Sequence, residues 1–138
     1  MTPEERPRPP IGEPILELRL PVDPSSPRRA RHELAARIGA TVPAEVTDDV
    51  ALLVATVANN VVSHAGLGPA DAFDVFAERD GERIRVSVSD PGAGFKPRAA
   101  GTRAGFGTKI LDTVAQRWGI ERRDGRTIVW FDVALVPR

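Results

Sequence analysis

The sequence has no cysteine and no tyrosine, and aromatic residues make up only 5% of it. Without cysteine there can be no disulfide, no thiolate metal site and no thiol nucleophile, and a cytoplasmic setting is expected. An excess of one charge is also missing, because 19 basic residues balance 19 acidic ones. A neutral chain exerts no global pull on nucleic acid or on a membrane surface, so neither is expected as a direct partner. No run of 18 apolar residues occurs, and no span is expected. No basic-then-apolar signal pattern opens the chain, so nothing marks it for export.

What is there is 41% apolar residue in 138 positions, which is the material for one core and one domain. Pro3, Pro7, Pro9, Pro10 and Pro14 crowd the start. Proline fixes φ and removes a donor, so residues 1–14 read as an extended, disordered tail and 15–138 as the domain. Arg28, Arg29 and Arg31 form one basic cluster, and Arg122, Arg123 and Arg126 another. Such clusters are most often solvated faces.

The run from Ile15 to Leu20 alternates and predicts a strand, halted at Pro21. Ser26-Pro27 predicts a capped helix start, and Ala30, Leu34 and Ile38 give it an apolar stripe. Gly39 stands where a left-handed cap would end it. A second helix is expected from about Pro43, with Val46, Val50, Leu53, Val54, Val57 and Val61 as its core face, stopped by Gly66 and Gly68-Pro69. Residues 72–77 and 83–89 predict two strands joined at Asp80-Gly81. Ile84, Val86 and Val88 take one side of the second, while Arg83, Arg85, Ser87 and Ser89 take the other. Residues 92–106 lack periodicity and read as a flexible loop. A helix over 107–118 follows, striped by Ile110, Leu111, Val114, Ala115 and Trp118, and then a hairpin of 119–123 and 126–135 around Asp124-Gly125. Adjacent hairpins with three helices predict an α+β fold: a two-layer sandwich whose mixed, largely antiparallel sheet is covered on one face by about three helices.

Three groups of residues could carry chemistry. Thr56, Asn60 and His64 recur at four and draw one polar line along an otherwise apolar helix. Such residues can hydrogen-bond neighbouring loops, or they can face a ligand, where the Asn60 amide oxygen suits a hard cation such as Mg²⁺. Asp90-Pro91-Gly92-Ala93-Gly94 closes the 83–89 strand. Asp-Pro-Gly is often a plain turn. It can equally present a carboxylate to an exocyclic amine, with Gly92 and Gly94 leaving room for a flat base. Gly105-Phe106-Gly107 opens the third helix, whose unpaired N–H groups suit phosphates. Lys109 and Arg103 lie near enough in sequence to add charge, or else point to solvent.

In this order the segments resemble the GHKL ATPase/kinase superfamily. The helix from Leu52 to Ala65, with Asn60, looks like its N box; Asp90 to Gly94 match its Asp-x-Gly-x-Gly box; Gly105-Phe106-Gly107 match its second glycine box. Trp118-Gly119 and the segment Gly125 to Phe131 are similar to the small single-domain branch of anti-sigma-factor serine/threonine kinases. The resemblance covers about residues 15–135. It implies a Bergerat ATP-binding fold, a lid at 95–104, and ATP or ADP with Mg²⁺ as ligands. It implies that Asp90 meets the adenine amine, supported by Thr127; that Gly92 and Gly94 shape the adenine wall; that Asn60 holds Mg²⁺; and that Gly105, Gly107 and Thr108 give amides to the phosphates. It further implies a role in transcription regulation, a sigma factor or anti-sigma antagonist as protein partner, and a homodimer.

One position departs from that pattern. The kinase branch carries a glutamate one helical turn before the asparagine, as general base, and here Thr56 stands there. A threonine hydroxyl does not accept a proton at neutral pH, and loss of a positioned base costs about 10²–10⁴ in rate. Nucleotide binding does not need that base. The expectation is therefore an ATP-binding regulatory protein with weak or absent kinase activity. The alternatives are an active serine/threonine kinase acting on an antagonist protein, with a partner's acid in place of the glutamate, and a nucleotide-free interaction module.

Overall fold

The structure, a computed structural model, describes residues 12–92 and 106–136. Its elements run β1 (Glu13–Pro21), α1 (Ser26–Ile38), α2 (Ala44–His64), β2 (Ala72–Arg79), β3 (Arg83–Asp90), α3 (Phe106–Val114), β4 (Arg117–Arg123) and β5 (Arg126–Ala134). The five strands form one sheet in the order β1-β2-β3-β5-β4, and each neighbouring pair is antiparallel. The expected α+β sandwich is what forms, with an antiparallel sheet throughout the described strands. The expected tail falls largely on residues 1–11, outside the described residues, and β1 begins two residues ahead of Ile15.

Period-two alternation gives the sheet its two sides. Phe73 and Val75 of β2, Ile84, Val86 and Val88 of β3, and Val129, Phe131 and Val133 of β5 are buried beneath the helices. From above, α1 supplies Ala30, Leu34 and Ile38, α2 supplies Val46, Val50, Leu53, Val54, Val57 and Val61, and α3 supplies Leu111. Each large side chain buried in this way contributes about 1.5–3 kcal/mol. By length and composition α2 could cross a bilayer. In this fold its apolar stripe is the centre of the core, and that burial uses the hydrophobicity.

Both hairpin turns form where expected. Asp80 Oδ1 accepts the N–H groups of Glu82 (2.7 Å) and Arg83 (2.9 Å). Asp124 and Gly125 both have positive φ, 55° and 76°, which the tight turn between β4 and β5 demands.

Three local expectations are corrected. Ser26 does not cap α1; it is the first helical residue, and its hydroxyl donates to the Pro21 carbonyl at 2.7 Å. Gly39 is right-handed at φ −61°, so the helix ends without a left-handed cap. Helix α3 stops at Val114, short of 118. Trp118 lies in β4 opposite Phe131, because sheet pairing along Arg117–Arg123 replaces another helical turn.

Candidate functional site

At one end of the sheet three residues stand in a row on the helix-covered side. Asp90, the last residue of β3, lies opposite Thr127 of β5, and Thr127 lies opposite Arg122 of β4. Asp90 and Thr127 are each 1% exposed. Hydrogen bonds join the row to the turn beyond β3. Asp90 Oδ1 accepts the Gly92 N–H at 2.8 Å, Thr127 Oγ1 reaches the Gly92 carbonyl at 3.4 Å, and Arg122 donates to Thr127 Oγ1 at 2.7 Å.

Gly92 is required there by space. A Cβ on it would lie 2.6 Å from the Ala65 carbonyl oxygen at the end of α2 and 3.2 Å from Leu67 Cδ2. The strand end is therefore pressed against the end of the helix that carries Asn60, and the glycine permits it.

Burial pushes the Asp90 carboxyl above its ordinary range. The Gly92 N–H and then the charges of Arg126 and Arg122 act the other way and favour the carboxylate. Arg126 does so from the opposite side of the sheet, where it is held by Ser89 Oγ at 2.6 Å and Asp74 at 2.9 Å.

On α2, Thr56 and Asn60 are half-buried and His64 is exposed. The Thr56 hydroxyl donates to the Leu52 carbonyl one turn back, at 2.8 Å. Its proton is thus committed to its own helix. Helix α2 packs against β3, β5 and α3, so Asn60 belongs to the layer above Asp90, but among the described residues no hydrogen bond links it to the row. Thr108 is half-buried in the first turn of α3, which also holds Gly107, and Lys109 beside it is exposed. Gly94, Gly105, Arg103 and the expected lid at 95–104 lie outside the described residues. No group of three or more His, Cys, Asp or Glu side chains suited to a metal occurs among the described residues.

The second basic cluster is more than a solvated face. Arg122 points to the helix side and binds Thr127, whereas Arg126 points to the other and binds Ser89 and Asp74. The two-residue turn at Asp124-Gly125 was the available signal for that division, because it sets 122 opposite 127 and 123 opposite 126 and so puts Arg122 and Arg126 on opposite sides.

Comparison with known proteins gives the family and agrees with the fold. The chain belongs to the histidine kinase-like ATPase domain family, whose model matches residues 20–133. No curated protein matches it. Among solved structures, the RsbU and RsbW domains of Rv1364c from Mycobacterium tuberculosis superpose with a TM-score of 0.68 at 17% identity, covering 88% of this chain and 33% of that one. The histidine kinase domain from the Erythrobacter litoralis EL346 blue-light activated histidine kinase superposes with a TM-score of 0.51 at 21% identity, covering 83% and 61%. The chain thus spans about a third of the first structure and three fifths of the second.

Proposed function

We propose that this chain is an ATP-binding regulatory protein of the anti-sigma-factor kinase type, cytoplasmic, with weak or absent kinase activity. The observation that carries the binding half is the buried pair of Asp90 and Thr127 beside a glycine that space requires. A buried carboxylate whose charge Gly92 and two arginines favour against burial can accept from a further donor. The exocyclic amine of adenine supplies one, and Gly92 lets the strand end that carries Asp90 close against the end of α2. Thr127 assists from β5. Gly94, Gly105, Gly107 and Thr108 complete the proposed set at the wall and the phosphates, and Asn60 is the proposed ligand for Mg²⁺. The donor set fits Mg²⁺ when phosphate oxygens provide most of the ligands, as that ion prefers.

The second half rests on Thr56. Its hydroxyl is bonded to Leu52 and is no base, so phosphoryl transfer depends on positioning and charge alone. In the proposed role the nucleotide-bound form, as a homodimer, holds a sigma factor or an anti-sigma antagonist. The fold shared with the structure containing the RsbW domain supports this reading at the level of architecture.

Calorimetric titration with Mg-ATP and Mg-ADP tests the binding half, with Asp90→Asn as control. Binding that the substitution weakens about 10- to 100-fold is the expected result. No binding at millimolar nucleotide would sink it and leave the interaction module. Transfer of labelled γ-phosphate to a co-purified protein at a rate ordinary for a kinase, about 1 per second or more, would replace weak activity by the active-kinase alternative.

A further inference from the structure

Arg122 is not among the residues that the family pattern marks, yet hydrogen bonds connect its guanidinium to the turn that holds Asp90. Arg122 donates to Thr127 Oγ1 at 2.7 Å, Thr127 Oγ1 reaches the Gly92 carbonyl at 3.4 Å, and the Gly92 N–H donates to Asp90 at 2.8 Å. Arg122, Thr127 and Asp90 occupy consecutive strands in direct register on one side of the sheet. We propose that Arg122 is a positioning and specificity residue of the base site, which fixes Thr127 and, by its charge, makes the pocket select a 6-amino purine over a 6-keto one. This rests on the proposed binding of a purine at Asp90.

The selection follows from donor and acceptor inventory. An ionised carboxylate only accepts, so it takes the N–H of a 6-amino group and repels a 6-keto oxygen. A protonated carboxyl can donate, and would tolerate the keto oxygen. What keeps Asp90 an acceptor therefore also sets the base preference. Among the described residues, two charged groups act on it, Arg126 and Arg122. Arg126 of β5 acts on it more strongly than Arg122 does, from the opposite side of the sheet, where it is paired with Asp74 of β2. His64 of α2 and Lys109 of α3 are both exposed. Arg122 alone of the two acting arginines shares the side of the sheet on which Asp90 lies. Burial opposes ionisation, and Arg122 is one of the charges that offset it.

The test uses ADP and inosine diphosphate, which differ in the 6-amino and 6-keto edge, titrated by calorimetry into the wild type, Arg122→Leu and Arg122→Lys. Affinities are measured from about pH 4 to pH 8, the range that brackets carboxyl titration. For Arg122→Leu the acid limb of ADP binding is expected to move up by about half a pH unit, modestly because Arg122 is exposed to solvent screening. On that limb the preference for ADP falls about threefold below that of the wild type, the fold-change equal to that shift. Arg122→Lys restores the limb, since it restores the charge. An unchanged limb and an unchanged preference in Arg122→Leu overturn the proposal, even if both affinities fall together. A second measurement needs no nucleotide: the side-chain carboxyl ¹³C shift of Asp90 followed against pH. A midpoint that Arg122→Leu leaves in place overturns the proposal. Failure of the wild type to bind either nucleotide, with the midpoint displaced as expected, sinks the nucleotide reading and the base preference with it, while leaving the charge coupling between Arg122 and Asp90 in place.

Discussion

Arg85 and Asp132 face each other across β3 and β5 and form a paired contact, with Nε to Oδ1 at 2.6 Å and the second guanidinium nitrogen to Oδ2 at 2.9 Å. They lie on the sheet side away from the helices, yet Asp132 is fully buried and Arg85 is 6% exposed. The Trp130 ring lies 5.1 Å from the guanidinium, and Arg117 adds a third contact to Asp132 at 3.1 Å. The Asp132 hydrogen bond holds the Arg85 guanidinium even more firmly protonated than usual.

Removing one partner strands the other charge in a buried place. Asp132→Ala is expected to destabilise the protein by about 3–5 kcal/mol, read as a lower urea midpoint. The double change Arg85→Met with Asp132→Leu is expected to recover much of that loss, because neither charge of the buried pair is left behind and the half-exposed Arg117 can turn to water. A double variant as unstable as Asp132→Ala would show that the sheet needs the charges themselves.

Gly92 gives a prediction about space. Gly92→Ala places a methyl group 2.6 Å from the Ala65 carbonyl oxygen and 3.1 Å from Asp90 Oδ1. Backbone must shift, and the expected cost is about 1–3 kcal/mol. Gly81→Ala is the control, since a Cβ there meets nothing within 4 Å. Its expected effect is within about 0.5 kcal/mol. Equal thermal midpoints for the two variants would contradict the close approach of β3 to α2.

The two hairpins and the stripes of α1 and α2 were legible because each is local, written at spacings of two or three to four. The Asp90 and Gly92 elements of the site were legible for a different reason: their residue types and order resemble a family, although each motif alone reads as a turn. Sequence spacing gave no access to what depends on register between distant strands. Arg85 and Asp132 are 47 residues apart, and Arg85 alternates like a surface residue. The contact of Arg122 with Thr127 is close in sequence but depends on the side of the sheet each takes once β4 pairs with β5. Trp118 fits a helical stripe as well as a strand, and pairing with Phe131 decides the matter.

Thr56 permits a gain-of-function prediction. Asn60 is one turn further along α2, so a carboxylate at 56 would share its face. Thr56→Glu is expected to raise ATP turnover by about 10²–10⁴, the contribution of a positioned base. Phosphate release under single-turnover conditions measures it. The loss of the Thr56 bond to Leu52 should cost little, since such back-bonds slightly destabilise helices. A variant that folds, binds ADP as the wild type does and shows no added turnover would mean that position 56 does not face the γ-phosphate.

Asp90→Asn should change stability and binding in opposite directions. The folded carboxyl titrates above the ordinary aspartate value because burial disfavours its charge. The folded state then binds this proton more tightly than the unfolded state does. Its contribution to stability is therefore greatest below the unfolded value, about 3.9, and is lost as pH rises through the folded value. At neutral pH the buried charge is a standing cost. Asparagine removes that cost and keeps an oxygen for the Gly92 N–H, so the ligand-free variant is expected to melt higher than the wild type at pH 7 and to lose that advantage in acid. Nucleotide affinity is expected to fall about 10- to 100-fold, the worth of a hydrogen bond to a charged acceptor. Calorimetry of melting and of ADP titration reads both effects in one preparation. A lower melting temperature with unchanged affinity would mean that Asp90 serves only to hold its turn. The expected pair, a more stable protein that binds less nucleotide, identifies Asp90 as a group kept at the expense of stability for what it binds.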